Sequence, residues 1–540
     1  MPLLGHAQTA LRDSLMYRNY QFVKHSDPWL RGRNASGLTR FHSRDIAETE
    51  LYLTSEKGNL TDYWQSPSVL QAGAGVEALS RLSRRTVVYG QVGYDNFSGR
   101  DMTGSAFINP TRKPFDIVED SLVNPGTKHR DTYRLSGGVG TTVADGFAVG
   151  LRLDYTAANY AKYKDLRHKN KLMDLVFSAG FTLTPHLSPL RSNLFAFLRK
   201  NSHLTIGADY FYHRQTESVT FSIYGREDKV YKSMINYGPF IGKVEQLGNS
   251  GFTDKSREMP LTDDINGVDV QLSADITPLL AFYSNFTYQH RNGYYGRKSP
   301  YTITYTRHSS DGYACQGQLT LNTTRTRQIL AFALDVENLR NDLQNYRELR
   351  DPNDVSYYEY YDPAKVGNRL WTNWDITYTG HFGIRHELPA WTVTASLVNQ
   401  RRKQTAYMYP YLRRQDLHHN EYMVQGEHNI VLSKGVLSVV ANFAFAQGSG
   451  EPYEDDTMVM PSDKQTPPAS MDAFLYQEYH LMTAPQYTVS MQLKYAFRFP
   501  GTSLLTHLRG EVQHRKANTL YNEYCGSDRT TATVALGCTF

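Results

Sequence analysis

Between residues 486 and 499 the side chains sort by parity. Tyr487, Val489, Met491, Leu493, Tyr495, Phe497 and Phe499 oppose Thr488, Ser490, Gln492, Lys494 and Arg498. A period of two is the signature of a β-strand with one apolar and one polar face. The pattern recurs at 147–156, where Phe147, Val149, Leu151, Leu153 and Tyr155 oppose Ala148, Gly150, Arg152, Asp154 and Thr156. It recurs again in the last eleven residues, where Ala532, Val534, Leu536, Cys538 and Phe540 alternate with small or hydroxylic residues. Charge sits on one face only. Lipid against the other face explains this, since a Lys or Arg at the bilayer midplane costs roughly 2–4 kcal/mol. A soluble two-sheet sandwich also alternates, but it does not need such long apolar faces together with the connection rule described next.

Candidate strands fall near 45–55, 70–80, 86–96, 131–142, 147–160, 171–183, 203–224, 265–276, 280–292, 312–322, 327–340, 374–387, 391–405, 421–432, 436–447, 486–498, 503–516 and 530–540. Their connections alternate short and long. Those at 83–85, 144–146, 277–279, 323–326, 388–390, 433–435 and 500–502 are tight, and several carry the Gly, Pro, Asp or Asn of hairpin turns. Those at 97–130, 225–264, 341–373 and 448–485 are long and polar. One short-side connection, 184–202, is too long for the rule and reads as a short helix or a further hairpin. The chain therefore predicts an all-β fold, a transmembrane antiparallel up-and-down β-barrel of about 18 strands (16–20) with short periplasmic turns and long extracellular loops. Residues 45–540 are assigned to the barrel, 8–44 to an N-terminal segment lying in the lumen or the periplasm, and 1–7 to the tail of a signal peptide. Gly5 and Ala7 fit the small positions before a cleavage site, so export to the bacterial outer membrane is expected.

Composition agrees where it bears on the question. No apolar run reaches the roughly 18–20 residues of a spanning helix, and mean hydropathy is −0.53. A barrel hides its membrane signal in alternation, and the 39 Tyr and 24 Phe suit membrane–water interfaces. The net charge of +5 is spread along the chain, with no basic block that would track nucleic acid. Contact with outer-membrane lipid and lipopolysaccharide suits such an excess, as does ordinary solubility. Cys315, Cys525 and Cys538 are scattered, with no spacing for zinc or a disulfide framework; Cys315 and Cys538 fall on predicted lipid-facing positions.

The polar faces carry the chemistry-bearing residues. His507, Arg509, Glu511 and Gln513 line one face of strand 503–516, and His381 and Arg385 do the same on 374–387. They read as an acid/base group or, more simply, as lumen charges pairing across strands. No Ser, His and carboxylate occur at a recognisable nucleophilic spacing, so no enzyme activity is expected. His418-His419 are placed in a loop, where adjacent imidazoles point apart. Glu451, Glu454, Asp455 and Asp456 could gather a hard cation but lack the pattern of a calcium loop. No cofactor or metal is assigned. Met458, Met460 and Met471 read as soft packing in the same loop. Glycines at 73, 75, 137, 138 and 140 lie inside strands, where small residues let the N-terminal segment or a bulge approach the wall.

The opening segment MYRNYQF…DPWLRGRNASGL, the Tyr-rich strands and the terminal Phe resemble the uncharacterised outer-membrane β-barrel families of Bacteroidota. Within it, NASGL (34–38) is similar to the Asn-Pro-Ala-type motif in the N-terminal hatch of fatty-acid-transporter barrels, with Ala35 in place of Pro. The resemblance implies hatch residues Arg33, Asn34 and Ser36, and a role for Phe540 as the signal read by the barrel-assembly machinery. Asp120-Ser121-Leu122 and Asp456-Thr457-Met458 resemble O-glycosylation acceptors of that group. The expected function is passage of a small or medium solute through the lumen, which the N-terminal segment could occlude. Lumen candidates are Arg152, Asp154, His381, Arg385, Lys494, Arg498, His507, Arg509 and Glu511. The alternative is a non-transporting barrel that serves a complex, for example with a TonB-dependent transporter and surface lipoproteins.

Overall fold

A computed structural model describes residues 19–119, 125–164, 167–185, 204–222, 231–246, 251–253, 258–385, 387–499, 504–518 and 526–540. The signal-peptide assignment, most of 184–202, Cys525, the 500–502 turn and Asp120–Leu122 lie outside these residues. Eighteen antiparallel strands close into a barrel. They are β1 (Ile46–Lys57), β2 (Ser68–Arg81), β3 (Thr86–Met102), β4 (Gly126–Ala144), β5 (Phe147–Lys162) and β6 (Arg167–Leu183). Then come β7 (Leu204–Ser222), β8 (Met259–Asp275), β9 (Leu280–Ser299), β10 (Thr302–Asn322), β11 (Thr326–Leu343) and β12 (Ala364–Phe382). The series ends with β13 (Trp391–Met408), β14 (Tyr411–Leu432), β15 (Gly435–Ser449), β16 (Gln486–Arg498), β17 (Leu505–Ala517) and β18 (Asp528–Thr539). Each pairs with its neighbour, and β18 returns to β1 with Leu536 opposite Leu51. Phe540 lies just past β18, where its N–H donates to the carbonyl of Ala47 (3.0 Å). β6 pairs directly with β7.

Parity decides the faces. Leu51, Leu151, Val270, Phe286, Val424, Met491, Val534 and Leu536 are exposed on the outside. Cys315 and Cys538 share that parity and are free thiols. Among the described residues no helix is long and apolar enough to cross a membrane.

Most strands are longer than the sequence pattern suggests, chiefly at the loop side. β14 runs for 22 residues and β10 for 21, whereas a spanning strand needs only about 9–11. Above the bilayer the outward face meets water, so polar residues follow there. On β14 these are His418, Asp416 and Arg414, and the apolar alternation that marks a strand disappears. His418-His419 therefore lie inside β14 and not in a loop: His418 faces outward near Asp416 (3.6 Å), and His419 is buried with Nδ1 2.8 Å from the Met482 carbonyl. At the other end β12 stops at Phe382, where Gly383 turns with φ 65°, so Arg385 sits exposed in the periplasmic turn and not on a strand beside His381.

The long loops also depart from the expectation of polar, solvated segments. Strands Asp116–Glu119, Lys232–Asn236, Ile241–Gln246 and Ala469–Ser470 form a four-stranded sheet across the outer mouth. Phe107, Phe115, Ile117, Ile235, Tyr237 and Phe252 bury themselves there against the inner-face residues Val219, Phe221, Leu261, Tyr295, Val366 and Ala406. Each such side chain contributes about 1.5–3 kcal/mol by burial, enough to hold the loops as a folded cap.

The outward band predicts a simple test of orientation. Leu536→Arg should lower barrel stability by about 2–4 kcal/mol in urea unfolding from lipid bilayers, as its head has no route to the lumen.

Candidate functional site: a strapped and capped lumen

Residues 19–41 thread the inside of the barrel as short turns. Asn19 accepts from the Phe22 N–H (3.1 Å), Asp27 from that of Trp29 (3.0 Å) and Asn34 from that of Ser36 (3.2 Å), each starting one turn. This strap touches the inner wall from β2 to β12. Lys24 pairs with Glu77 of β2. Trp29 Nε1 donates to Ser273 Oγ of β8 (3.0 Å), and Arg31 donates to Gln318 of β10 (2.8 Å). Phe22 meets His381 of β12 edge-to-face, with centroids 5.2 Å apart.

The wall is moulded to receive it. A Cβ on Gly140 would lie 2.3 Å from the Ala35 carbonyl oxygen, and one on Gly150 would lie 2.1 Å from the Ser36 nitrogen. On Gly180 it would meet Asn34 Oδ1 at 2.6 Å, and on Gly207 the Trp29 ring at 2.7 Å. These glycines, on β4, β5, β6 and β7, form a groove for backbone contact. Arg33 makes a two-pronged ion pair with Asp269 (2.9 and 3.0 Å) and stacks over Phe211 at 3.8 Å. Asn34 donates to Gln271 Oε1 (3.0 Å) and to the Phe181 carbonyl (3.0 Å), and Ser36 is fully buried. Arg152 and Asp154 pair at 2.8 Å on β5, and Arg152 also donates to the Gly32 carbonyl (3.1 Å).

A second group meets where the barrel closes. Arg509 of β17 bridges Glu50 (2.6 Å) and Glu511 (3.1 Å), His507 lies 3.3 Å from Glu50, and Lys494 reaches Glu48 (3.4 Å). They meet across β18 because Ala535 and Gly537 bring no bulk between them; a Cβ on Gly537 would touch the His507 ring. Arg498 is exposed at the periplasmic end of β16. Sequence reasoning missed Glu48 and Glu50, although their parity against Leu51 and Leu53 marks them as inward. These residues line a cavity of about 620 Å³ that reaches the periplasmic turns at Leu388 and Leu505. Cavities of about 620 and 450 Å³ flank the strap's other side, sharing Arg31, Gln318 and Asp375. The walls combine paired charges with Gln, Asn, Ser and Thr. Among the described residues no three His, Cys, Asp or Glu gather for a metal.

The cap above is tied round the mouth by buried charge. Lys113 pairs with Glu217 of β7 (2.8 Å), and Arg112 with Glu337 of β11 (3.0 Å). Arg291 of β9 holds Asp263 (2.8 Å) and donates to the Arg112 carbonyl (3.0 Å). Arg369 of β12 donates to the Lys113 carbonyl (2.8 Å), and Lys162 of β5 pairs with Glu119. On the opposite side, helix α1 (Asp472–Thr483) places Glu478 on Arg402 of β13 (2.6 Å), and Gln477 donates to the Thr61 carbonyl (3.0 Å). Glu454–Thr457 adds a strand beside Tyr411–Arg414, with Asp455 on Arg413 (2.6 Å) and Asp456 on Arg414 (3.3 Å), so two of the four acids of the run are paired with arginines. Met471 is buried in the cap, while Met458 and Met460 are exposed.

Burial pushes the Asp116 carboxyl up to about 6, against the hydrogen bonds from Ser105 (2.6 Å) and Tyr63 (2.9 Å) that hold it down. Burial and the neighbouring Glu478 also raise half-buried Asp62.

No curated protein matches the chain. Among solved structures, the ferric preacinetobactin receptor BauA of Acinetobacter baumannii is 8% identical over 92% of this chain and 80% of that chain, with a TM-score of 0.41. The outer membrane transporter YddB of Escherichia coli is 7% identical over 92% and 81%, at 0.39. The ferric-catecholate import receptor Fiu of E. coli K12 is 7% identical over 92% and 82%, at 0.38. These likenesses concern the barrel alone.

The groove and the cap each yield a prediction. Gly150→Val should displace the strap at a cost of about 1–3 kcal/mol, raising tryptic cleavage at Arg31 and Arg33. Gly137→Val, where an added Cβ meets nothing within 4 Å, should leave cleavage unchanged. For the cap, a carboxyl raised in the closed state binds its proton more tightly there than in open water. Closure is thus favoured most below the ordinary value of 3.8 and loses that support as pH rises through about 6, a change of about 3 kcal/mol. Hydrogen exchange in 105–118, corrected for intrinsic rate, should be faster at about pH 7.5 than at about pH 5, and Asp116→Asn should flatten the difference.

Residues 35–540 match the model of a family of unknown function (DUF6850), and the chain belongs to that family.

Proposed function

We propose that the protein is an outer-membrane transporter in a closed resting state, with the extracellular cap as its outer gate and the 19–41 strap as an inner element that shapes the chamber. The observation that carries this reading is the path of residues 103–119. They cross the mouth from β4 and β5 to β11 and β12, held by ion pairs and by carbonyls that accept from Lys128, Asn341 and Arg369 of the wall. Beneath them lie polar cavities large enough for a small or medium hydrophilic solute. A merely structural barrel has no need of a hydrated chamber under a lid. The strap fills one sector only, because the cavity beside β1 and β14–β18 runs past it toward the periplasmic turns. The gate is therefore the cap.

Planar-bilayer conductance tests this assignment. The intact protein should be silent, and deletion of the strap alone should leave it silent. Replacing 104–118 by a short Gly-Ser linker should give steady ohmic conductance. Silence in the cap-deleted protein, with its barrel still folded by heat-modified gel mobility, would remove the transport reading and leave that of an accessory subunit.

A further inference from the structure

Asp209 of β7 and Asp269 of β8 are direct cross-strand partners on the inner face, 4% and 2% exposed. Two carboxylates so placed repel each other, and burial sharpens the repulsion. Arg33 supplies one positive charge and directs both of its hydrogen bonds to Asp269. Asp209 receives only the Gln271 amide on Oδ1 (2.7 Å), and its Oδ2 is buried with no hydrogen-bond partner. With both carboxyls ionised, Arg33 leaves the pair one charge short.

Several oxygens lie nearby. The Asn34 amide nitrogen sits 3.0 Å from Gln271 Oε1, 3.0 Å from the Phe181 carbonyl and 3.4 Å from the Ala208 carbonyl. Thr287 Oγ1 contacts Asp269. Carboxylates, an amide oxygen, backbone carbonyls and a hydroxyl, carried on adjacent strands of a rigid wall, are the ligand chemistry of a hard divalent cation such as Ca²⁺. In the present state the cage is filled by N–H groups of the strap.

We propose that the Asp209–Asp269 pair is a divalent-cation site for which Arg33 and Asn34 are the intramolecular competitors. A divalent ion neutralises both carboxylates where Arg33 neutralises one. Its binding withdraws the partners of Arg33 and Asn34, so cation occupancy and strap docking exclude each other. The proposal goes beyond the transport reading in making the strap displaceable, and its readout is independent of conductance.

The test uses the full-length protein in detergent with calcium chloride, measuring equilibrium ⁴⁵Ca²⁺ binding and hydrogen exchange of residues 28–41. Saturable binding is expected, with faster exchange in 28–41 and unchanged exchange in the strands. Arg33→Gln, which removes the competitor, should bind Ca²⁺ more tightly. Asp209→Asn with Asp269→Asn should weaken binding by roughly tenfold or more and abolish the exchange response. Binding equal in wild type and the double Asn variant would overturn the proposal, as would binding that leaves the 28–41 exchange unmoved. Should the double variant not fold, weaker binding by Arg33→Gln than by wild type would overturn it equally.

Discussion

The lipid face dictates the rest of the molecule. A charged side chain cannot remain on the outward parity within the membrane, so the spanning strands send theirs inward. Eighteen strands then confront one another with acids and bases across an enclosed space. Leaving those charges unpaired at low exposure would cost several kcal/mol each. The interior resolves this by pairing: Glu50 with Arg509, Asp263 with Arg291, Glu217 with Lys113. In the last of these the base comes from a loop. The cap is in this sense a consequence of the wall, since it supplies the partners that neighbouring strands lack.

The strap answers a different need. Its contacts are made by backbone as much as by side chain, and backbone can approach a strand only where Cβ atoms are missing. Gly140, Gly150 and Gly180 lie on successive strands β4, β5 and β6, and Ala35, Ser36 and Asn34 lie over them. A β-strand loses packing and gains entropy cost at each glycine, so a run of inner-face glycines on adjacent strands weakens the wall unless something fills the gap. The 3₁₀ turn Ala35–Arg40 fills it.

Legibility in the sequence followed solvent. Wherever a strand has lipid on one side and lumen on the other, its alternation is plain, and all eighteen strands could be located from it. Where both sides are aqueous, as on β14 above Tyr422, the period-two signal fades and strand reads as loop. His418-His419 were misplaced for that reason. Arg385 was misplaced for the converse one, as Ile384 and Leu388 prolong an apolar rhythm into a turn that Gly383 has already begun. The site was less legible than the fold. Arg509 and Glu511 could be seen to share a face, but Glu50 is more than 450 residues away in sequence, and only closure of the barrel brings it to Arg509. Asp209 and Asp269 are likewise paired by register alone. The burial of loop residues such as Phe107, Phe115 and Phe252 had a signal that went unused: aromatic side chains in otherwise polar loops that have no lipid to meet.

Cap and strap differ in the chemistry of their interfaces. The cap shares an apolar cluster with Val219, Phe221, Leu261 and Tyr295 of the wall, so lifting it exposes hydrocarbon to water. That makes it a stable cover of the mouth. The central part of the strap, from Trp29 to Ser36, combines polar contacts to Ser273, Gln318, Asp269, Gln271 and Ser178 with the burial of Trp29, Leu30 and Ala35 against the wall. The polar contacts fix where the strap sits, and the apolar ones add to its hold. The molecule thus carries an apolar-anchored cap over its outer mouth and a strap against one sector of its wall, with polar cavities beside the strap.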